Sequence, residues 1–302
     1  MQPLYLQSYY MANVIEKFGV TSGKAFKLKN YKTDDPGSME KKEALADLVD
    51  FQTELKEYQE RLYAEDSQSL LVILQAMDAA GKDGAIEHVM SGVNPQGCQV
   101  FSFKQPTSND YEHDFLWRHY KALPERGRIG IHNRSHYEYV LICRVHPEYN
   151  LSERIPGYRN VKDFNAEFWE DRYESIRQFE AHLHRNGTKI IKFFLHVSKE
   201  EQKKRFLDRI EDNYKNWKFS ASDIDERAYW DAYMSAYETA IASTATPASP
   251  WYVIPADKKW FARYAVGKII VETLKQMEPE FPKLPENQKE KLKSYKEKLE
   301  RE

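Results

Sequence analysis

The chain has 302 residues, and its 45 basic and 47 acidic side chains give a formal net charge of −2. This balance argues against a protein covered in basic charge, as many nucleic-acid binders are, but it leaves room for a local basic cleft. Two cysteines exclude a disulfide-rich scaffold and a multi-cysteine zinc module. No long apolar run or secretory signal is present, so we expect a cytoplasmic protein without a membrane partner.

A periodic pattern of apolar residues begins at Met39. Residues 1–38, which precede it, are expected to form an N-terminal extension. Apolar residues then recur every three to four positions as far as Leu62, which predicts a helix with one apolar stripe. The apolar run of residues 70–74 is too short for a helix and predicts a strand buried on both faces.

Strand and helix patterns alternate after this first strand. Strands are predicted over 99–103, 127–132, 190–197 and 251–254, and helices over 82–92, 110–121, 163–185, 199–212, 225–242 and 258–277. Asp163 and Ser198 are the expected N-caps of two of these helices. The alternation predicts a three-layer α/β/α domain with a parallel sheet over residues 39–278. Residues 279–302 are expected to form a charged, solvated tail.

A phosphate-binding loop is predicted in Gln75–Gly84, between the first buried strand and a helix. Amides at a helix N-terminus point at a bound phosphate, and Lys82 adds a mobile positive charge. Ala76 replaces the first glycine of the usual pattern, and Asp83 replaces its magnesium-binding Ser or Thr, so Asp78 is the expected metal ligand. The alternative is a sharp turn with a surface lysine. The other phosphate-binding candidates are Ala79, Ala80, Gly81, Asp83 and Gly84.

Two further polar segments are candidates for the same site. His132–Glu138 ends a predicted strand, and ligands gather at the carboxyl ends of parallel strands; the alternative is ordinary loop hydrogen bonding. Arg205 and Arg209 are four apart and share one helical face. Their helix is either a solvated, ion-paired surface or a lid over about 199–220 that brings arginines onto a polyanion.

Together with Asp114–Arg118 and Pro250–Lys258, these motifs resemble the polyphosphate kinase 2 family from about residue 25 to about residue 275. The loop matches the family pattern G-x-D-x-x-G-K except at Ala76. The second segment resembles the family's N/D-R-S-x-Y stretch, with Tyr139 where relatives have Asp and Glu138 as the nearest substitute. The matching positions are Asp78, Gly81, Lys82, Asn133, Arg134, Ser135 and Tyr137.

The resemblance implies a thymidylate-kinase-like P-loop fold with a helical lid. It also implies Mg²⁺-dependent (or Mn²⁺-dependent) phosphoryl transfer from inorganic polyphosphate to AMP and ADP, with weaker use of guanine nucleotides. No nucleic acid is implied as a partner, and a homo-oligomer, dimer or tetramer, is expected. The expected metal ligands are Asp78 and Glu138, the catalytic residues Asp78, Lys82, Arg134, Arg205 and Arg209, and the further nucleotide or phosphate contacts Lys104, Arg118, Asn133, Glu138 and Lys204.

Two alternative functions fit the same motifs. One is an ATP-dependent nucleoside or nucleotide kinase on the same fold, which would need room for two nucleosides. The other is a non-catalytic polyphosphate-binding protein, which would keep Lys82 and the basic helix but show no turnover. The presence together of Asp78, Lys82, Arg134 and the arginines of the predicted lid favours an enzyme.

Overall fold

A computed structural model describes residues 14–214, 216–218 and 220–302. The predicted parallel sheet is confirmed, with strand order β1-β6-β5-β2-β4-β3. Strands β2 to β6 run parallel, and β1 adds to the edge strand β6 in the antiparallel direction. The strands are β1 (Gly19–Val20), β2 (Ser69–Ala76), β3 (Cys98–Ser102), β4 (Ile129–Asn133), β5 (Thr188–His196) and β6 (Trp251–Pro255).

Helices cover both faces of the sheet. As a consequence, all eight residues of its central strand β2 are buried. The helices are α1 (Lys41–Glu65), α2 (Lys82–Val89), α3 (Trp117–Tyr120), α4 (Ile142–Val145), α5 (Ala166–Arg185), α6 (Lys199–Glu211), α7 (Ala221–Asp225), α8 (Trp230–Thr244), α9 (Lys259–Met277) and α10 (Glu286–Leu299). Helices α1, α2 and α9 pack against one another, and α5 packs against α8. This arrangement is the predicted three-layer α/β/α architecture.

The helix predicted over 110–121 is wrong in extent. The structure has a 3₁₀ turn at Asp110–Glu112 and only one α-helical turn, α3. Between them, Asp114 Oδ1 accepts a hydrogen bond from the Leu116 amide (2.9 Å). Aspartate side chains that bind nearby amides compete with the helical pattern, and this explains why the helix is broken.

The predicted N-cap of α5 is also wrong by two residues. Asn165 caps the helix, because its side chain accepts a hydrogen bond from the Phe168 amide (3.1 Å). Asp163 instead accepts from the Asn160 amide (2.7 Å) and closes the preceding 3₁₀ turn. Ser198 caps α6 as predicted, since its hydroxyl accepts from the Glu201 amide.

The helix predicted over 225–242 is divided. Helix α7 and a 3₁₀ turn at Glu226–Tyr229 come first, and α8 begins only at Trp230. The C-terminal helix α10 buries no residue, as expected for a solvated tail. Among the described residues, none of the helices is both long and apolar enough to span a bilayer.

The N-terminal segment belongs to the same core as the rest of the domain. Residues 14–18 are helical, and Phe18, Val20, Phe26 and Leu28 are buried in the core cluster that also contains the central strands. The predicted extension of residues 1–38 is therefore part of the domain from Val14 onwards, and residues 1–13 lie outside the described residues. The predicted domain boundaries are otherwise untested.

Candidate active site

The two polar segments predicted from the sequence meet at one edge of the sheet. Strands β2 and β4 are neighbours, with Leu74 paired to Asn133. Directly after this pair, the Arg134 amide donates to the Leu74 carbonyl (3.0 Å). The phosphate loop (Gln75–Gly84) and the Asn133–Glu138 segment therefore leave the carboxyl ends of adjacent strands side by side, where ligands bind in open α/β sheets.

The phosphate loop is a tight turn that leads directly into α2. Ala79 and Gly81 have positive φ angles of 60° and 107°. Lys82 opens the helix, and its Nζ donates to the Ala76 carbonyl at 2.8 Å. Burial, assisted by the charge of Arg134, lowers the pKa of Lys82. The first amides of a helix have no acceptor within it, so the start of α2 combines amide donors with the Lys82 ammonium in the same loop.

Arg134 lies opposite the loop and contacts Asp78 directly. Its Nη2 donates to Asp78 Oδ1 at 2.8 Å, and its φ of 63° is unusual for a residue with a side chain. Burial opposes the Arg134 charge, but Glu138 and Asp78 outweigh it and raise its pKa. Burial raises the pKa of Glu138, and Arg134 and Lys82 oppose this shift. The four charged groups therefore form one coupled cluster.

Arg134 and Glu138 belong to two cavities at once. The first, here called the carboxylate cavity, measures about 70 Å³ and also contains Asp78, Asp223 and Glu226 in its lining. The second, called the aromatic cavity, measures about 350 Å³ and is lined also by Phe103, Lys104, Tyr111, Arg118 and Tyr139. A group bound in either cavity would lie against the same guanidinium.

The aromatic cavity combines flat apolar walls with cations at its edge. Arg118 stacks over the Phe103 ring at 5.3 Å and donates to the Lys104 carbonyl at 2.8 Å. Asp110 lies 3.4 Å from the same guanidinium. Aromatic rings suit a flat heterocycle, and arginine suits a phosphate group. Lys104 and Arg118 thus line one cavity together, and their predicted roles as nucleotide or phosphate contacts stay predictions.

Asn133 and Asp83 hold the two segments together. Asn133 Nδ2 donates to Asp83 Oδ1 at 2.7 Å and lies 3.4 Å from Ser102 Oγ. Asp83 occupies the position where the usual loop carries a magnesium-binding hydroxyl, and here its carboxylate accepts from an amide instead.

Arg205 does not face the cleft as the sequence predicts. It is only 4% exposed, and all its donors bind protein acceptors. Nη1 donates to the carbonyls of Ala79 and Ala80, and Nη2 donates to those of Ala256 and Asp257. Its Nε donates to Glu201 of the same helix. Arg205 therefore clamps the phosphate loop to the turn after β6.

The remaining cations of α6 differ in their placement. Arg209 is half-buried beside Phe206, and its charge partly offsets the burial and the nearby Asp78 that raise the pKa of Asp223. Lys203 and Lys204 are exposed. The structure thus brings Arg209 towards the carboxylate cavity and leaves Lys204 on the surface. Residues 215 and 219 of the predicted lid lie outside the described residues.

Replacement of Arg205 by alanine is expected to lower turnover about tenfold and the free energy of unfolding by about 2 kcal/mol or more, because loop carbonyls lose charged donors. The control is Lys203→Ala on the exposed face of α6, which should change neither. Steady-state assays and thermal unfolding measure both effects. Equal, small effects in the two variants would contradict the clamp.

A buried ion pair supports the Asn133–Glu138 segment from below. Lys192 on β5 donates to Glu180 of α5 at 2.6 Å and to the Tyr137 hydroxyl at 3.0 Å, and Tyr137 donates to Glu180 at 2.7 Å. Burial favours the neutral acid, but Lys192 and His136 outweigh it and lower the pKa of Glu180 to about 2. The pair therefore fixes Tyr137, the residue that precedes Glu138.

A divalent cation fits the carboxylates of the first cavity. No group of three or more His, Cys, Asp or Glu side chains in the described residues could hold a metal by itself. Magnesium usually takes one or two protein carboxylates and completes its shell with substrate phosphates and water. Asp78 and Glu138 line the same cavity and could supply such a pair.

Sequence reasoning missed several residues that line the site. Asp223 and Glu226 contribute carboxylates from the segment before α8, and Gln202 donates to the Asp78 carbonyl at 2.9 Å. The segment that contains Asp223 and Glu226 has no motif or periodic pattern that would indicate a site. The one signal in its sequence is the frequency of carboxylates directly after the predicted lid.

Comparisons with known proteins identify the family of this chain. The family model "Polyphosphate kinase 2 (PPK2)" matches residues 38–282. The chain is 52% identical over 92% of its length to an ADP-polyphosphate phosphotransferase of Rhodopseudomonas palustris, covering 96% of it. It is 43% identical over 92% of its length to an AMP/ADP-polyphosphate phosphotransferase of Meiothermus ruber, covering 99% of it.

The structural comparison gives the same family. A crystal structure of polyphosphate kinase 2 from Arthrobacter aurescens superimposes with a TM-score of 0.83 at 39% identity, over 93% of this chain and 96% of that one. The predicted P-loop kinase fold and the predicted class of enzyme, a phosphotransferase, are thereby confirmed. The chain belongs to the polyphosphate kinase 2 family.

Proposed function

We propose that the protein transfers phosphoryl groups from inorganic polyphosphate to AMP and ADP, giving ADP and ATP. The observation that carries the proposal is that Arg134 and Glu138 line both cavities, the carboxylate cavity beside the phosphate loop and the aromatic cavity. Relatives named as acting on ADP, or on both AMP and ADP, support this choice of acceptors.

The donor phosphates would bind at the phosphate loop. The first amides of α2 and the Lys82 ammonium would hold the terminal units of polyphosphate. Asp78 and Glu138 would hold Mg²⁺, which neutralises charge on the bridging and terminal phosphate oxygens when it is bound. Mn²⁺ prefers similar oxygen ligands. Arg209 is the lid cation best placed to approach the same phosphates.

The acceptor would occupy the aromatic cavity. Its base would lie among Phe103, Tyr111 and Tyr139, while Arg118 and Lys104 would bind its phosphate. Rings can stack on either purine, so we expect guanine nucleotides to react as well, but more weakly. Loose base contacts also let the terminal phosphate of either AMP or ADP reach Arg134.

The transfer itself would need no general base. A terminal phosphate oxygen of the acceptor attacks the terminal phosphorus of polyphosphate, the phosphoanhydride bond of that unit breaks, and the electron pair leaves with a chain one unit shorter. Because the attacking oxygen is already anionic, the residues mainly position the reactants and balance charge. Arg134 can contact the transferred group from the acceptor side, and Lys82 can contact it from the donor side.

A time course that starts from AMP, polyphosphate and Mg²⁺, without ATP, tests this function. We expect ADP to rise first and ATP to follow, because both acceptors end in a phosphate that reaches the same transfer point. Separation of the nucleotides by chromatography measures both. If the reaction stops at ADP, and ADP is inert as acceptor under excess polyphosphate, the enzyme is specific for monophosphates.

The alternative functions give different results in the same assay. An ATP-dependent nucleotide kinase would show no product until ATP is added, and a non-catalytic polyphosphate-binding protein would show none under either condition. The predicted cytoplasmic location and homo-oligomeric state stay predictions. The exposed side chains of Leu45 and Val49 on α1 are candidates for contacts between subunits.

A further inference from the structure

A third concave surface, separate from both cavities, is formed by the N-terminal segment. It measures about 470 Å³ and is here called the lysine basin. Its polar side chains are almost all hydrogen-bond donors, and Asp35 is the only carboxylate among them. The donors are Lys17, Lys24, Lys27, Lys32, Thr21, Ser22 and Asn30. Such a lining suits an anion with many oxygen atoms.

Two lysines of the basin have carboxylate partners and two do not. Lys17 pairs with Asp35 at 2.9 Å, and Lys27 pairs with Glu238 of α8 at 3.3 Å. In the part of the chain that the structure describes, no carboxylate lies within ion-pair distance of Lys24 or Lys32, and both are exposed. Lys32 also acts on Asp35 electrostatically, since it helps to lower the pKa of that carboxyl. The four lysines of the basin still outnumber Asp35 and the neighbouring Glu238, so its net charge is positive.

The basin is held in shape by contacts with α8. Gly23 packs so closely against the backbone of Ala242 that a Cβ would overlap its carbonyl oxygen. The Leu28 amide donates to Glu238 at 2.8 Å, and Ala25 has a φ of 60°. A preformed surface loses little conformational entropy on binding, so weak individual contacts can add up to measurable affinity.

The basin is joined to the phosphate loop through a short chain of contacts. Thr33, next to Lys32, accepts from the Asp257 amide (3.0 Å) and donates to its carboxylate (2.7 Å). The Asp257 carbonyl accepts from Arg205, the clamp of the phosphate loop. Lys259 lies near the same guanidinium, since burial and the charge of Arg205 both lower its pKa. Asp257 and Arg205 thus connect the segment that forms the basin to the phosphate loop.

We propose that the lysine basin binds a distal segment of the polyphosphate chain whose terminal units lie at the phosphate loop. The proposal rests on the proposed function, which makes polyphosphate the donor. The loop can hold only the terminal units of the polymer. The remaining units are also negatively charged and extend beyond the site. A second contact on the same chain raises its apparent affinity without any change at the reacting end.

The test compares long-chain polyphosphate with hexaphosphate as donors for the double variant Lys24→Ala/Lys32→Ala. With the long chain, we expect KM to rise about three- to tenfold and to depend less on salt, because two phosphate contacts are lost. The kcat, the KM for ADP and the KM for hexaphosphate should stay at wild-type values, because neither lysine lies in the phosphate loop and the proposal assigns only the distal units of a long chain to the basin.

The matched control is Lys291→Ala/Lys293→Ala, which removes two exposed lysines from α10. It should leave the KM for both donors unchanged. Wild-type KM for the long chain in the Lys24/Lys32 variant, or an equal rise for hexaphosphate, would overturn the proposal. A wild-type enzyme that transfers nothing from either donor would instead refute the proposed function, so the two failures are distinguishable.

Discussion

Replacement of Lys82 by alanine is expected to lower kcat by about 10²-fold or more, because the ammonium would stabilise charge mainly in the transition state. The protein should stay folded. Lys82 bonds only the Ala76 and Met77 carbonyls, and its burial already works against its charge. Initial rates with polyphosphate and ADP, together with thermal unfolding, measure the two effects separately.

A second variant distinguishes the loss of a metal ligand from the loss of the lysine in the phosphate loop. Asp78→Asn should also lower kcat about 10²-fold, and it should change the Mg²⁺ concentration that gives half-maximal rate, since one of two proposed carboxylate ligands is lost. Lys82→Ala should leave that concentration nearly unchanged. The loop is not the donor site if Lys82→Ala keeps a near-wild-type rate. The same conclusion follows if Asp78→Asn keeps both a near-wild-type rate and an unaltered magnesium dependence.

Replacement of Lys192 by methionine is expected to lower the free energy of unfolding by about 3–5 kcal/mol, because it leaves the buried Glu180 carboxylate without its ammonium partner and with only the hydroxyl donors of Tyr137 and Ser249. The Lys192 ammonium also donates to the Thr244 carbonyl at 2.9 Å, which loses this donor as well. Chemical denaturation of the variant at neutral pH measures the loss.

The double variant Lys192→Met/Glu180→Leu is the control, since it removes both charges and should recover a large part of that stability. The contribution of Glu180 also depends on pH. Its folded pKa of about 2 lies below the ordinary 4.5, so its stabilisation is complete above pH 4.5 and is lost as the pH falls towards 2. Equal stability of the single and double variants would show that the ion pair contributes nothing.

Local patterns predicted the parts of the fold that depend on neighbouring residues. The apolar run of residues 70–74 lies inside β2. The apolar stripe predicted in the pattern after Met39 lies in α1 (Lys41–Glu65). The short strand β1 could not be predicted, because two residues have no period and pair only where β6 presents an edge. Likewise, the binding of amides by Asp114 broke a helix that periodicity had favoured.

The sequence predicted the site only for motifs whose place in the chain, directly after a strand, also determines where they lie in the fold. The loop with Lys82 and the segment with Arg134 follow adjacent strands, so their meeting followed from the parallel sheet. Arg205 was misplaced because i, i+4 spacing puts it on one face with Arg209 without showing which contacts bury that face. The contribution of Asp223 depends on how α7 folds back, and no local pattern reports that.

The Arg205 clamp also determines when the phosphate loop can form during folding. The loop sequence ends at Gly84, but the guanidinium that holds its carbonyls comes from α6, and the anchoring carbonyls of Ala256 and Asp257 follow β6. Contacts so distant in sequence form only after long loops have closed, which makes them slow and late. We therefore expect a nascent chain that has not yet reached Asp257 to contain the whole motif without the contacts through which Arg205 joins the loop to the turn after β6.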